Sequence, residues 1–120
     1  MLDTSPLTAV VERFADRLRA APQSRLQQGA AATALELARE LATRAQRLEG
    51  AGAVREMPDA GIFAVGDQVA VAGLDLAEAL RAAAAGGGAA AGGPDGAKAP
   101  SEVLDEAVRL VERAEVRAMR

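Results

Sequence analysis

The chain has 120 residues, a formal charge of −3 and a pI near 5.0, and it contains no Cys, His, Trp or Tyr. That length suits one small domain, and the missing side chains remove disulfides, thiolate metal sites and imidazole acid–base chemistry. Half of the residues are hydrophobic, but 31 are Ala and the only aromatics are Phe14 and Phe63, so closely packed helices around a thin Leu and Val core are predicted rather than a sheet.

From the N-terminus, Met1 to Val11 carries Asp3 and no basic residue before Arg13, which lacks the charged start of a signal peptide. Ser5 followed by Pro6 has the form of a helix cap with proline in the first turn. Leu7, Val10, Val11, Phe14 and Leu18 then form an apolar stripe, with Glu12, Arg13, Asp16, Arg17 and Arg19 on the other side. This predicts an amphipathic helix over about 6–20, ended by Ala21-Pro22.

The element around which the rest is organised is the stretch Ser24–Glu49. Ser24 with Gln27 three residues on matches a capping box. Leu26, Ala30, Ala34, Leu37, Leu41, Ala45 and Leu48 recur at steps of three and four, the mark of one long helix over about 25–49 that Gly50 and Gly52 terminate. So short a connection from the preceding helix predicts an antiparallel helical hairpin.

Turn chemistry follows in Met57-Pro58-Asp59-Ala60-Gly61. Residues 62–72 admit two readings. Ile62 to Val65 and Gln68 to Ala72 could pair as a β-hairpin across Gly66-Asp67, giving an α+β fold. Ile62, Val65, Val69, Ala72, Leu76, Leu80 and Ala83, however, keep helical spacing without a break and run into the helical Leu74–Ala85. A third helix over about 67–85 is therefore preferred, with Gly66 and Gly73, and Ala70 and Ala77, placing small residues where another helix can approach closely.

Residues 86–100, GGGAAAGGPDGAKAP, bury little and lose much entropy on ordering, so a flexible linker is expected. Ser101 is placed as the cap of a last helix over 102–119, with a broad apolar face of Val103, Leu104, Ala107, Val108, Leu110, Val111, Ala114 and Ala118. The organisation predicted is thus an all-α, small antiparallel helical bundle: a helical domain 1–85, a linker 86–100 and a C-terminal amphipathic helix 101–120.

For chemistry, Lys98 is the single lysine and lies in the linker, and its surroundings miss the phosphate-loop pattern. Glu36 with Glu40 and Glu102 with Glu106 are carboxylate pairs, but Arg39, Arg44 and Arg109 interleave with them, as on a solvated face. No cofactor, metal or small-molecule substrate is expected, and no enzymatic activity. No stretch of about 18 residues is apolar enough to span a bilayer, so a cytoplasmic protein is expected.

The long helix overhangs its neighbour, so its far end around Arg44 to Leu48 needs the third and fourth helices as cover, or another chain, and on that ground coiled-coil-like association with itself or another helical protein is expected. The expected function is a non-catalytic interaction or regulatory module, with Leu37, Leu41, Leu48, Leu104, Val108, Val111, Arg113 and Arg117 as candidate contact residues. The alternative is an Arg-mediated nucleic-acid-associated regulator that uses the C-terminal stripe Arg109, Arg113, Arg117 and Arg120. The acidic total and the lack of aromatics for base stacking argue against it.

Overall fold

In the computed structural model, which describes residues 2–50, 52–86 and 98–120, all regular structure is helical. Helix α1 spans Ser5–Ala20, a short turn α2 spans Gln23–Arg25, a π turn spans Leu26–Ala30, α3 spans Ala31–Glu49, α4 spans Val65–Ala85 and α5 spans Pro100–Ala118. The all-α bundle is the observed fold, and residues 62–72 form no hairpin: α4 starts at Val65 and carries the predicted stripe inward through Val69, Ala72, Leu76 and Leu80.

The long helix is not continuous. Gly29 adopts φ 133° and ψ −18°, outside helical space, and breaks the predicted Ser24–Glu49 rod into α2 and α3 around the π turn. An L side chain is strained there whatever the room around it, so the glycine permits the kink. Nor does Ser24 cap: Pro22 precedes the first turn and no side chain bonds to it. The other serine caps are displaced too. Thr4 precedes α1, where Asp3 Oδ1 accepts the Ser5 amide at 2.9 Å, and Ala99 rather than Ser101 precedes α5, with Pro100 in its first turn. Proline fixes the helical φ and needs no partner for a missing N–H, which moves the start one residue upstream of Ser101.

Hydrogen bonds and shared clefts fix how the helices run. Arg19 reaches Asp67, and Arg81 donates to Thr4 Oγ1 at 2.6 Å, so α1 and α4 are antiparallel. Arg25 bonds the Arg120 carbonyl and Arg44 bonds Glu106, so α3 and α5 are antiparallel. Residues 52–64 return along α3, with Gln46 exchanging hydrogen bonds with the Arg55 backbone and Arg39 donating to the Met57 carbonyl at 2.8 Å. They deliver Val65 beside Leu26 and Leu35, and α4 therefore runs parallel to α3. Each of α4 and α5 packs against both α1 and α3. The expected α1–α3 hairpin neighbours instead sit across the bundle from one another, because α4 and α5 occupy the two grooves between them.

One apolar cluster joins all the helices. Leu7, Val11 and Phe14 of α1, Leu41 of α3, Leu76 and Leu80 of α4 and Val111 of α5 are fully enclosed. Between α1 and α4 the packing is close enough that a Cβ on Gly73 would lie 2.5 Å from Val11 Cγ1. Gly50, at φ 74°, ends α3 in the left-handed conformation expected of a terminating glycine. Of the predicted linker 86–100, residues 87–97 lie outside the described residues. At its far end Lys98 pairs with Glu106.

Candidate interaction site

The residues singled out from the sequence separate into two groups. Leu37, Leu41, Leu104 and Val111 are buried, and Leu48 and Val108 are half-buried against the same cluster. They close this chain's own core, with α5 docked on α1 and α3 of the same molecule. Arg113 and Arg117 are exposed. They line a shallow cleft between α3 and α5 together with Glu36, Leu37, Glu40 and Leu110, so carboxylates border one side of the arginine stripe. The overhang expected at Arg44–Leu48 is covered from within: Arg44 bonds Glu106 Oε1 at 2.9 Å, and Gln46 holds the returning chain at Arg55.

The docking of α5 contains a feature the apolar stripe concealed. Glu115 lies on the inward side of α5 with its side chain 7% exposed. Arg13 Nη2 approaches Oε1 at 2.8 Å, Arg13 Nε bonds the same carboxylate, and Arg17 Nη1 approaches Oε2 at 3.1 Å. Burial pushes the Glu115 carboxyl up, and the hydrogen bonds from Arg13 and then Arg17 more than offset that, holding it below the ordinary value. The signal was present in the spacing. Glu115 falls among Val111, Ala114 and Ala118 on the buried side, while Arg13 and Arg17 stand one turn apart on α1.

A second charged group gathers at the start of α5. Lys98 first, and then Arg44, hold the Glu106 carboxyl below its ordinary value, and Glu40 lies 3.3 Å from Arg44 Nε. Among the described residues, no three acidic side chains converge as a metal site would require. No helix among them is long and apolar enough to cross a membrane.

Five large apolar side chains stay exposed among the described residues: Val54 and Phe63 in the segment before α4, Val71 and Leu74 on the outer side of α4, and Val116 on α5. Phe63, in the turn before the helix, is 71% exposed; Val71 is 54% and Leu74 50% exposed. Both helical positions lie off the inward stripe, which is why periodicity alone passed over them. Asp67, Asp75, Glu78 and Arg81 share this exposed side. Asp67 is taken by Arg19, whereas Asp75 and Glu78 make no ion pair among the described residues. Comparison with family models, curated proteins and solved structures finds no match to this chain.

Proposed function

We propose that this chain is a non-catalytic helical interaction module that presents the outer face of α4 to a protein partner. The observation that carries the reading is the exposure of Val71 and Leu74 about one turn apart on the outer side of α4, with Phe63 exposed in the turn that leads into the helix. Exposed apolar side chains that cluster, with polar residues around them, mark contact surfaces more often than scattered ones do. The residue inventory supports a role without chemistry, since His, Cys and Tyr are absent and each Ser, Thr or Lys side chain that has a partner holds a helix end or an ion pair. Under this reading the module works in the cytoplasm, where a chain free of Cys needs no oxidising compartment.

A photoreactive phenylalanine analogue at position 63 or 74, introduced in the cells that make the protein, tests the reading. The expected outcome is discrete cross-linked protein adducts at these two positions and none at Glu12, an exposed control on α1. Equal labelling at all three positions, or none, overturns it.

A second reading draws on Arg109, Arg113 and Arg117, which are exposed and make no ion pair among the described residues. An Arg-mediated nucleic-acid-associated regulator would track phosphates along α5. Its binding to duplex or single-stranded nucleic acid would fall steeply as salt rises and on replacing Arg113 and Arg117.

A further inference from the structure

Much of the arginine in this chain is answered by carboxylate. Arg13, Arg17, Arg19, Arg39 and Arg44 each meet an acidic side chain within 3.2 Å. At one end of the bundle the pattern reverses. Where the π turn meets the end of α5, an open cleft of about 430 Å³ is lined by Arg25, Arg117 and Arg120 together with Gln28, Gly29 and Thr33, and no carboxylate lines it. None of these three arginines makes an ion pair among the described residues.

Local structure accounts for the convergence. Arg117 lies in the last turn of α5 and Arg120 just past its end, three residues on, so both belong to the same end of that helix. Arg25 comes from the opposite wall: the break at Gly29 lets α2 turn toward α5, and Arg25 Nη1 donates to the Arg120 carbonyl at 2.6 Å. That bond fixes one edge of the guanidinium and leaves its other N–H groups without an acceptor among the described residues. The Gln28 amide and the Thr33 hydroxyl add neutral donors to the same space. Glu36 and Glu40 lie in the adjoining cleft, which shares Thr33 and Arg117, but neither forms an ion pair with Arg117. The last carbonyls of α5 contribute about −0.5 of a charge here, which offsets only a fraction of three guanidinium charges.

We propose that this cleft binds a small phosphate compound carrying at least two negative charges, and that the bound anion ties α2 to the end of α5. A guanidinium matches two oxygens of a phosphate with its paired N–H groups, and arginines on both walls can take different oxygens of one ligand. A lone carboxylate, with two oxygens and one charge, would leave cations unanswered. No aromatic side chain lines the cleft, so recognition rests on the phosphate oxygens rather than on a stacked base. The inference is independent of the outer face of α4, and a ligand held without reaction needs none of the side chains this chain lacks.

Nuclear magnetic resonance on the full chain tests this, with sodium pyrophosphate as the probe in about 50 mM salt, where exposed charges are little screened. Saturable shifts are expected at the amides of Gln28, Gly29, Thr33 and Arg117 to Arg120, with a Kd below about 1 mM. Amide exchange over the last turn of α5 should slow as the ligand binds. R25Q/R117Q should weaken binding by about tenfold or more, because it removes a fork from each wall. R47Q/R109Q removes the same charge from exposed positions outside the cleft and should change binding by less than about twofold. Circular dichroism and urea midpoints establish that both variants fold.

The absence of saturation by about 10 mM pyrophosphate overturns the proposal. So does equal weakening in the two variants, which would show attraction to net charge alone, and so does saturation that leaves exchange in α5 unchanged, which would remove the tie between α2 and α5. A short oligothymidylate distinguishes the source of the phosphate. Binding of that strand with shifts that extend through Arg109 and Arg113, where pyrophosphate fails to saturate, would overturn the small-ligand site in favour of nucleic acid along α5.

Discussion

Helices α4 and α5 both pack against α1, and they are held there by opposite means. At the α1–α4 seam the backbone comes close: Gly73 faces Val11 and Gly66 lies 3.0 Å, by a built Cβ, from the Arg19 side chain. At the α1–α5 seam a carboxylate is driven into the interface and held by two arginines. The first seam depends mainly on shape and should respond little to pH and salt; the second adds to the apolar burial of Ala107 and Val111 a contribution that depends on ionisation. The bundle thus has a fourth helix that shares the common core through Leu104, Ala107 and Val111 and whose attachment is in part conditional on charge.

The largest expected effect comes from filling the shape-dependent seam. Replacing Gly73 by Leu drives a side chain into Val11, whose methyl carbons already stand 2.5 and 2.6 Å from a built Cβ. Overpacking of this kind should destabilise the chain by about 3 kcal/mol in urea titrations. Gly73→Ala meets the same clash with a smaller group and regains about 1 kcal/mol of helix propensity, so its net loss should be near 1 kcal/mol. Val11→Ala should then be less harmful in the Gly73→Ala background than in the wild type, because the two residues share one space. Independent, additive effects would show that the seam can relax, and the contrast with α5 would fail.

Next in size is Glu115→Ala, expected to cost about 2 kcal/mol, since it removes a buried acceptor but leaves Arg13 and Arg17 half in water. The pH dependence comes from the direction of the shift. The folded carboxyl lies below its unfolded value, so its contribution is complete above the unfolded value of about 4.3 and is lost as pH falls through the folded one. The stability gap between the wild type and Glu115→Ala should therefore narrow below about pH 4. Amide exchange should show α5 losing protection before α4. In Arg13→Ala/Arg17→Ala the carboxyl keeps its burial without its donors, so its pKa, followed by NMR, should move upward.

These two seams were not equally legible in the sequence. The glycine spacing at 66 and 73 announced a close approach, because small residues one heptad apart have few other uses in a helix. The inward stripes of α1, α3, α4 and α5 were legible for the same reason: burial selects apolar residues at the helical period. Glu115 was legible only as a spacing, since a charge among apolar neighbours reads as a solvated position until a partner from another helix is known, and Arg13 lies 102 residues away. Gly29 was hidden by Leu26 and Ala30 on either side, which keep the stripe intact across a backbone that turns. The partners of α1 were misread because a short connection suggests neighbours, while the returning segment 52–64 lets α4 fill the groove instead. Phe63, Val71 and Leu74 were passed over because periodicity finds what is buried, and their significance lies in not being so.

A smaller effect tests whether the kink belongs to the conditional seam. Gly29 allows α2 to diverge so that Arg25 Nη1 reaches the Arg120 carbonyl at 2.6 Å. No atom stands within 4 Å of a Cβ built there, so Gly29→Ala suffers only from its φ of 133°, a strain of about 1 kcal/mol. If the chain relieves that strain by straightening, the end of α5 should lose protection in amide exchange while α4 is unaffected. Equal loss at both helices would assign the π turn to the whole bundle.

The smallest expected effect gives the sharpest test of the contrast, because the α1–α4 seam also has an ion pair. Arg19 Nη2 stands 2.7 Å from Asp67 Oδ1, a geometry as good as that at Glu115, but the two side chains are 46% and 74% exposed. Water screens both charges, so Asp67→Asn should change stability by less than about 0.5 kcal/mol and by nothing measurable in 0.5 M salt. Position 67 also lies in the first turn of α4, where an anion favours the helix dipole by a few tenths, and that contribution is included in the same bound. Arg19 has a second attachment that owes nothing to its charge, since its Cγ lies against Gly66. Arg19→Met should therefore keep most of what Arg19→Ala loses. Should Asp67→Asn instead cost as much as Glu115→Ala, ionisation would hold both helices and the difference between the seams would disappear; a near-silent Asp67→Asn beside a tolerated Arg19→Met would show that the same pair of charges matters at one seam and not the other because of burial alone.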